Sequence, residues 1–436
     1  MGKIKFSKSI ISISLFILIY TNGHAQFLMD MVDTSKDVGK GILSMYQKFD
    51  HIRISGYIQA QYQSAFSKGI ANYSGGDFAS NVSNRFMLRR GRIRFDYVHF
   101  KQGSSPDVQF VFQFDGTERG VAIRDFWGRV FENKFKLFSL TTGMFARPFS
   151  YELNLSSSDR ESLERGRMSQ ILMKTERDLG AMVTFEKRKS GDFWGLFRLD
   201  AGFFNGQGLT SVTDFDNRKD FISRLTLKPL KLNGNVKLGA GISYLNGGMA
   251  QNSAMSAKIK SASNGYDIDS NYQNIGRILP RKYIGLDVQL KIISILGITE
   301  IRGEGMCGIQ TASKFSSETP DVLLGEDQTY FTRHFNGAYF YLIHNLPESP
   351  HQFVLKFDWY DPNTNLSGRE IKLSSSGITS ADIKYSTLGL GYNYQVNPNT
   401  RLMIWYDRIV NENTGIEGFE KDLKDDILSL RMQFRF

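Results

Sequence analysis

The residues best suited to chemistry are three arginines in RFMLRRGRIRFDY, residues 85–97. Ile93, Phe95 and Tyr97 alternate with Arg90, Arg92 and Arg94. A period of two is the strand period, so the arginines share one face and the apolar residues the other. Successive guanidinium groups then stand about 7 Å apart along the strand. Like charges so placed repel, and lipid would not tolerate them. A face that meets water turns them into a row of fixed positive charge, with forked donors suited to phosphate or carboxylate.

Other charged residues fall on the polar phase of similar segments. Arg147, Arg198, Arg224 and Lys228 are of this kind, as are the acids Asp115, Asp125, Asp287 and Glu304. Arg89 and Arg124 fall on the opposite, outward phase. The stretch 150–177 carries Arg160, Arg165, Arg167, Lys174 and Arg177 against Glu152, Asp159, Glu161, Glu164 and Glu176. Folded inward it would narrow a passage; left outside it is a solvated loop of balanced charge.

Several motifs do not hold. Gly303 to Gly308 spells G-x-G-x-x-G, but it lies in an alternating segment with no amphipathic helix after it. The histidines lack metal spacing, and no G-x-S-x-G elbow occurs. A Ser–His pair assembled by folding would leave no trace in one sequence. The single cysteine, Cys307, excludes an intramolecular disulfide and any multi-cysteine metal site, and it falls on an apolar phase.

The elements that must position these residues are strands. Segments of about ten residues recur, as membrane-spanning strands require. They are 53–66, 84–100, 107–116, 120–131, 138–149, 178–188, 193–205, 219–229, 235–247, 280–292, 295–312, 334–346, 351–361, 385–397, 400–412 and 425–436. In FVFQFDG, Phe110, Phe112 and Phe114 oppose Gln109, Gln113 and Asp115. The chain closes on LSLRMQFRF, where Leu428, Leu430, Met432, Phe434 and Phe436 oppose Ser429, Arg431, Gln433 and Arg435. A soluble sandwich would show such stripes too. Links separate the two cases. They are short after even-numbered segments and, except for 117–119, long after odd-numbered ones. That segregation belongs to an outer-membrane barrel and has no cause in a sandwich.

Targeting agrees. Lys3, Lys5 and Lys8 precede an apolar run, Ile10 to Tyr20, and small residues lead to an expected cut after Ala25. No later run is long and apolar enough for a spanning helix. The expected organisation is a signal peptide at 1–25, a periplasmic segment at 26–50 and a barrel at 51–436. The formal charge of +10 includes the three leader lysines, so the mature excess is mild and singles out no nucleic-acid partner.

The ordered set LRRGRIRFDY, FQFDG, IRDFWGRV, TTGMFARPFSYE, SSSDRESLERGR and RDLG, between about 84 and 180, resembles the phosphate-selective porin O and P family. The resemblance covers roughly a quarter of the chain; beyond it only the architecture speaks. It implies a trimer of sixteen-stranded barrels whose arginine ladder passes phosphate or other anions. It matches Arg90 and Arg92 to ladder positions, Asp125 to the acidic constriction position, Arg147 to a basic one, and Arg165 to a loop position. Arg94 joins them by strand phase alone.

The reading is an all-β transmembrane antiparallel barrel of about sixteen strands in a Gram-negative outer membrane. It works as a passive anion-preferring channel, and no enzyme chemistry, cofactor or metal is expected. The expected partners are small anions such as phosphate, membrane lipid with lipopolysaccharide, and two further copies of the chain. A general porin of weak selectivity and a plugged barrel acting as a scaffold are the alternatives. A subunit contact over strands two to four would cover Arg89 and Arg124.

Overall fold

A computed structural model describes residues 51–100, 105–188, 193–209, 211, 213–259, 265–372 and 377–436. The signal peptide and periplasmic segment expected at 1–50 lie outside the described residues. The barrel unit is Arg53–Phe436.

Among the described residues eighteen strands share one sheet, and sixteen form its wall. They are β1 (Ile52–Ala65), β2 (Asn84–Phe100), β3 (Pro106–Thr117), β4 (Gly120–Phe131), β5 (Phe138–Ala146), β6 (Arg177–Glu186), β7 (Phe197–Phe204), β8 (Asp220–Lys231), β9 (Val236–Ala250), β12 (Ile278–Ser294), β13 (Gly297–Ala312), β14 (Tyr330–Asn345), β15 (His351–Asp361), β16 (Tyr385–Asn397), β17 (Thr400–Asn411) and β18 (Ile427–Arg435). Each pairs antiparallel with the next, and β18 pairs with β1 from Tyr57↔Arg435 to Ala65↔Ile427. Phe436 extends the seam by exchanging backbone bonds with Gly56 at 3.0 and 3.1 Å. An open edge in hydrocarbon would leave a row of unpaired amides, so closure is obligatory.

The alternation has the expected result. Leu428, Leu430, Met432 and Phe434 are exposed on the outside, while Ser429, Arg431 and Gln433 are buried inside. The segment Gly303–Gly308 lies within β13, and Cys307 is exposed on the outer face.

Sequence periodicity misses β10 (Met255–Ile259) and β11 (Tyr266–Ser270), a hairpin within the long link after β9. β10 also pairs in parallel with β14, from Ser256↔Tyr330 to Lys258↔Thr332. Ala257 and Tyr266 pack with Phe331, Leu366, Ile371, Ile378, Ile383 and Ile416 into a small apolar core at the long-loop end. Two short helices, α1 (Tyr151–Asn154) and α2 (Arg167–Leu172), lie in the link after β5.

Two arginines expected outside are inside. On β4 the register jumps from Gln113↔Asp125 to Phe114↔Ile123, which leaves Arg124 as the extra residue of a bulge. A bulge re-aims the side chains beside it, and Arg124 now meets Glu176 within the bore. On β2, Phe86 stacks outside on Tyr62 at 4.8 Å, whereas Arg90 and Arg92 are buried. The phase therefore slips between 86 and 90, and Arg89 reaches Glu164 inside. Neither arginine needs a subunit contact to cover it.

Gly143 supports the same region. It faces Trp127 across the ladder with φ +116°, and a Cβ there would lie 2.4 Å from the Phe126 carbonyl and 2.9 Å from the Trp127 Cα. Both obstacles are backbone, so an added methyl has nowhere to go. Gly143→Ala is expected to lower unfolding stability in guanidinium by about 2 kcal/mol. Gly234→Ala, at a turn where a Cβ meets nothing within 4 Å, should be neutral within about 0.5 kcal/mol. Equal midpoints for the two variants would contradict the steric reading.

Candidate functional site

The link after β5 folds into the bore. Most of residues 147–176 are buried, although they join two strands as a loop. Loops avoid burial unless their polar groups find partners, and here the wall supplies them. Glu304 of β13 accepts from the Ser150 hydroxyl at 2.9 Å, the Tyr151 amide at 3.2 Å and the Tyr339 hydroxyl at 2.6 Å. Glu152 accepts from the Gly166 amide at 2.9 Å and the Tyr341 hydroxyl at 3.0 Å. Arg302 clamps Glu161 through two bonds of 2.7 and 2.9 Å. Apolar residues complete the seat: Leu163, Met168, Ile171 and Leu172 pack against Tyr283, Met306, Phe335 and Trp405 of the wall.

Glu164 is the hub of this seat. Its carboxylate receives Arg89 Nε at 2.9 Å, Arg90 Nη1 at 2.8 Å and Arg431 Nη2 at 2.8 Å. These arginines come from β2 and β18, on either side of β1. Arg431 also donates to Gln61 at 2.7 Å and to the Leu163 carbonyl at 2.6 Å. Burial would push the Glu164 carboxyl up, but the three guanidinium groups outweigh it and hold it well below the usual range. Glu176 behaves likewise: burial opposes ionisation, and Arg124, Arg165 and Arg177 prevail.

The sequence-derived site residues divide into two sets. Arg92, Arg94 and Asp125 line a cavity of about 770 Å³. Arg90, Arg147 and Arg165 are not among its lining residues. Arg90 is taken up by Glu164. Arg147 is buried beside Asp178 at 3.9 Å and donates to the Thr175 carbonyl. Arg165 turns back on its own loop, donating to the Ser169 and Met173 carbonyls, both at 3.1 Å, at the end of α2. There it satisfies helix carbonyls that lack partners. Burial pushes its guanidinium down to about 10, with Glu176 at 3.5 Å opposing that fall.

The rail is also not a row of free charges. Arg92 bonds Asp115 at 2.9 Å, and Arg94 bonds Asp96 through two contacts of 2.7 Å. Asp125 holds Arg177 at 3.2 and 3.3 Å, and Arg224 holds Asp287 at 2.6 and 3.0 Å. Interleaved acids relieve the repulsion that bare arginines would suffer in a partly dry bore.

The cavity lies between the near side of the loop, Pro148 to Asp159, and the inner faces of β1 to β8. Eight arginines line it (53, 92, 94, 129, 177, 198, 224 and 435) against four acids, Asp125, Asp159, Glu176 and Asp200. Asp96, Asp115 and Asp287 pair three of these arginines from just outside the lining, so the positive surplus is small and rests on the arginines without a carboxylate. Among the described residues, Arg53 and Arg129 have no carboxylate partner; Arg129 donates Nε to the Thr141 hydroxyl at 2.7 Å. Sequence reading singled out neither. Arg129 was legible, because it shares the phase of Asp125 and Trp127 on β4. Glu164 and Glu176 had only their place in a charged link, and their partners come from distant strands. Among the described residues no cluster of His, Cys, Asp or Glu could hold a metal ion.

A closed sixteen-strand barrel with an inward loop and a charged chamber is the build of a channel. Comparison identifies the kind. The family model described as phosphate-selective porin O and P matches residues 58–436, and the chain belongs to that family. It is an outer-membrane porin. No curated protein matches the chain. Among solved structures, it resembles Pseudomonas putida OprB at high pH, with TM-score 0.57 and 9% identity, covering 92% of this chain and 97% of that one. It also resembles an anion-selective porin from Comamonas acidovorans, with TM-score 0.50 and 9% identity, covering 88% and 99%. At such identity the likeness concerns the fold.

The Glu164 hub yields a prediction with a pH signature. Glu164→Gln leaves three buried guanidinium groups without their shared counter-charge and should lower stability in guanidinium unfolding by about 3–5 kcal/mol. The folded-state value is depressed, so the carboxylate's contribution is complete above the unfolded value of about 4.3 and fades as pH falls through the lower folded value. The gap between wild type and variant should be constant from neutral pH to about pH 5 and shrink only in stronger acid. A gap that closes near neutral pH would refute the assignment.

Proposed function

We propose that this porin is a passive, anion-preferring channel that passes phosphate or related small anions. The observation that carries the reading is the cavity's positive balance, with Arg53 and Arg129 unpaired by carboxylates at its wall. Fixed charge in a low-dielectric cleft raises the local concentration of counter-ions, and guanidinium forks suit phosphate oxygens. The loop restricts the bore on the side of β9 and β12–β17, so solute passes beside β1–β8. The family's description favours phosphate among anions. Arg92 and Arg94 contribute from the same chamber; Arg90, Arg147 and Arg165 act indirectly by holding its walls.

We further propose export through cleavage of residues 1–25 and residence among lipid and lipopolysaccharide as a homotrimer. The support for a trimer is an aromatic outer face on β2–β4, with Phe95, Phe110, Phe112 and Phe126 exposed. Mass measurement in mild detergent should read three chains, and a monomer would overturn that part.

The channel reading is tested by phosphate block of chloride current in planar bilayers. The double variant Arg53→Ala/Arg129→Ala should raise the half-blocking phosphate concentration roughly 5- to 10-fold. An unchanged block would remove these arginines from the site. Large currents indifferent to phosphate in the wild type would indicate a general porin, and no current would indicate a plugged barrel.

A further inference from the structure

The chamber holds more than positive charge. Trp127 projects into it from β4, between Asp125 and Arg129 on the same face. Phe145 and Met182 lie on the same wall and also border the space. Apolar side chains lining a water-filled passage are unfavourable unless something apolar covers them. Phe145 and Met182 are already buried in a core cluster against which Trp127 packs, so the partly exposed indole is the surface that inorganic phosphate would leave uncovered.

The indole is placed to receive a ring. The Arg129 guanidinium lies 5.1 Å from its centroid, so a cation already borders the ring. Its partner across the ladder is Gly143, which has no side chain to lay over it. The indole is only partly buried, and among the described residues its N–H has no hydrogen-bond acceptor. The acids nearby are already occupied: Asp125 by Arg177, and Asp200 by Arg198 at 2.8 and 3.0 Å. An incoming anion therefore meets guanidinium donors rather than free carboxylates. A volume of about 770 Å³ is within the range that holds whole organic ligands.

We propose that the chamber selects organic anions that carry a phosphate or carboxylate on a flat ring. The ring stacks on Trp127 and the anionic head is held by Arg94 and Arg129. This rests on the anion-preferring reading and narrows its solute class.

The test compares three blockers of chloride current in the full-length protein: inorganic phosphate, glycerol 3-phosphate and phenyl phosphate. Phenyl phosphate should half-block at a concentration roughly 3- to 10-fold below that of glycerol 3-phosphate, which carries the same head without a ring. Trp127→Ala should erase that difference and keep the chloride preference. Trp127→Phe should retain part of it, which guards against a variant that fails to assemble. Equal block by all three anions in wild type, with chloride preference intact, overturns the inference and leaves the anion channel standing. Absence of chloride preference in wild type overturns both.

Discussion

A single carboxylate, that of Glu164, is shared by three arginines that reach it from strands on either side of β1, and the working interior depends on that contact. It lies in a loop, yet the barrel wall buries it. Three like charges converging on one side of a bore repel one another and need a counter-charge, and here the crossing loop brings it. The apolar seat beneath α1 and α2 then fixes the far side of the loop. A chamber along β1–β8 remains. Its location follows from ion pairing and packing rather than from the barrel's diameter.

Within that chamber the arginines do not form a bare ladder. Arg92 and Arg94 each have an acid of their own, as do Arg177, Arg198 and Arg224. Pairing keeps arginines ordered in a partly dry interior, where an isolated charge would be strongly disfavoured. The surplus is left at Arg53 and Arg129. A bulge at Arg124 and a slip of phase near Arg89 place two more arginines inside, and both serve to hold the loop. The irregularities of β2 and β4 are thus part of the loop's mounting.

Much of this was legible in the sequence, and the reasons for success and failure differ by residue. The sixteen wall strands follow from period-two alternation because lipid and water impose it on every span. The terminal LSLRMQFRF segment signals closure for the same reason. Arg89 and Arg124 were assigned to the wrong face because a bulge inserts one residue without altering composition. The β10–β11 hairpin was invisible because its support, a parallel pairing with β14 and a cluster drawn from β14 and several loops, comes from residues distant in sequence. Arg165 matched a motif, but its direction depends on where α2 ends. Glu164 could not be ranked above the other acids of its loop without knowing that Arg431, 267 residues away in sequence, meets it.

The measurement that bears most directly on the account is the single-channel reversal potential of the wild-type protein under a KCl gradient, repeated at low and high ionic strength. Fixed surplus charge at Arg53 and Arg129 predicts a potential on the chloride side that shrinks as salt shortens the screening length. A potential on the potassium side at low salt would mean that acids govern the passage, and would contradict the account.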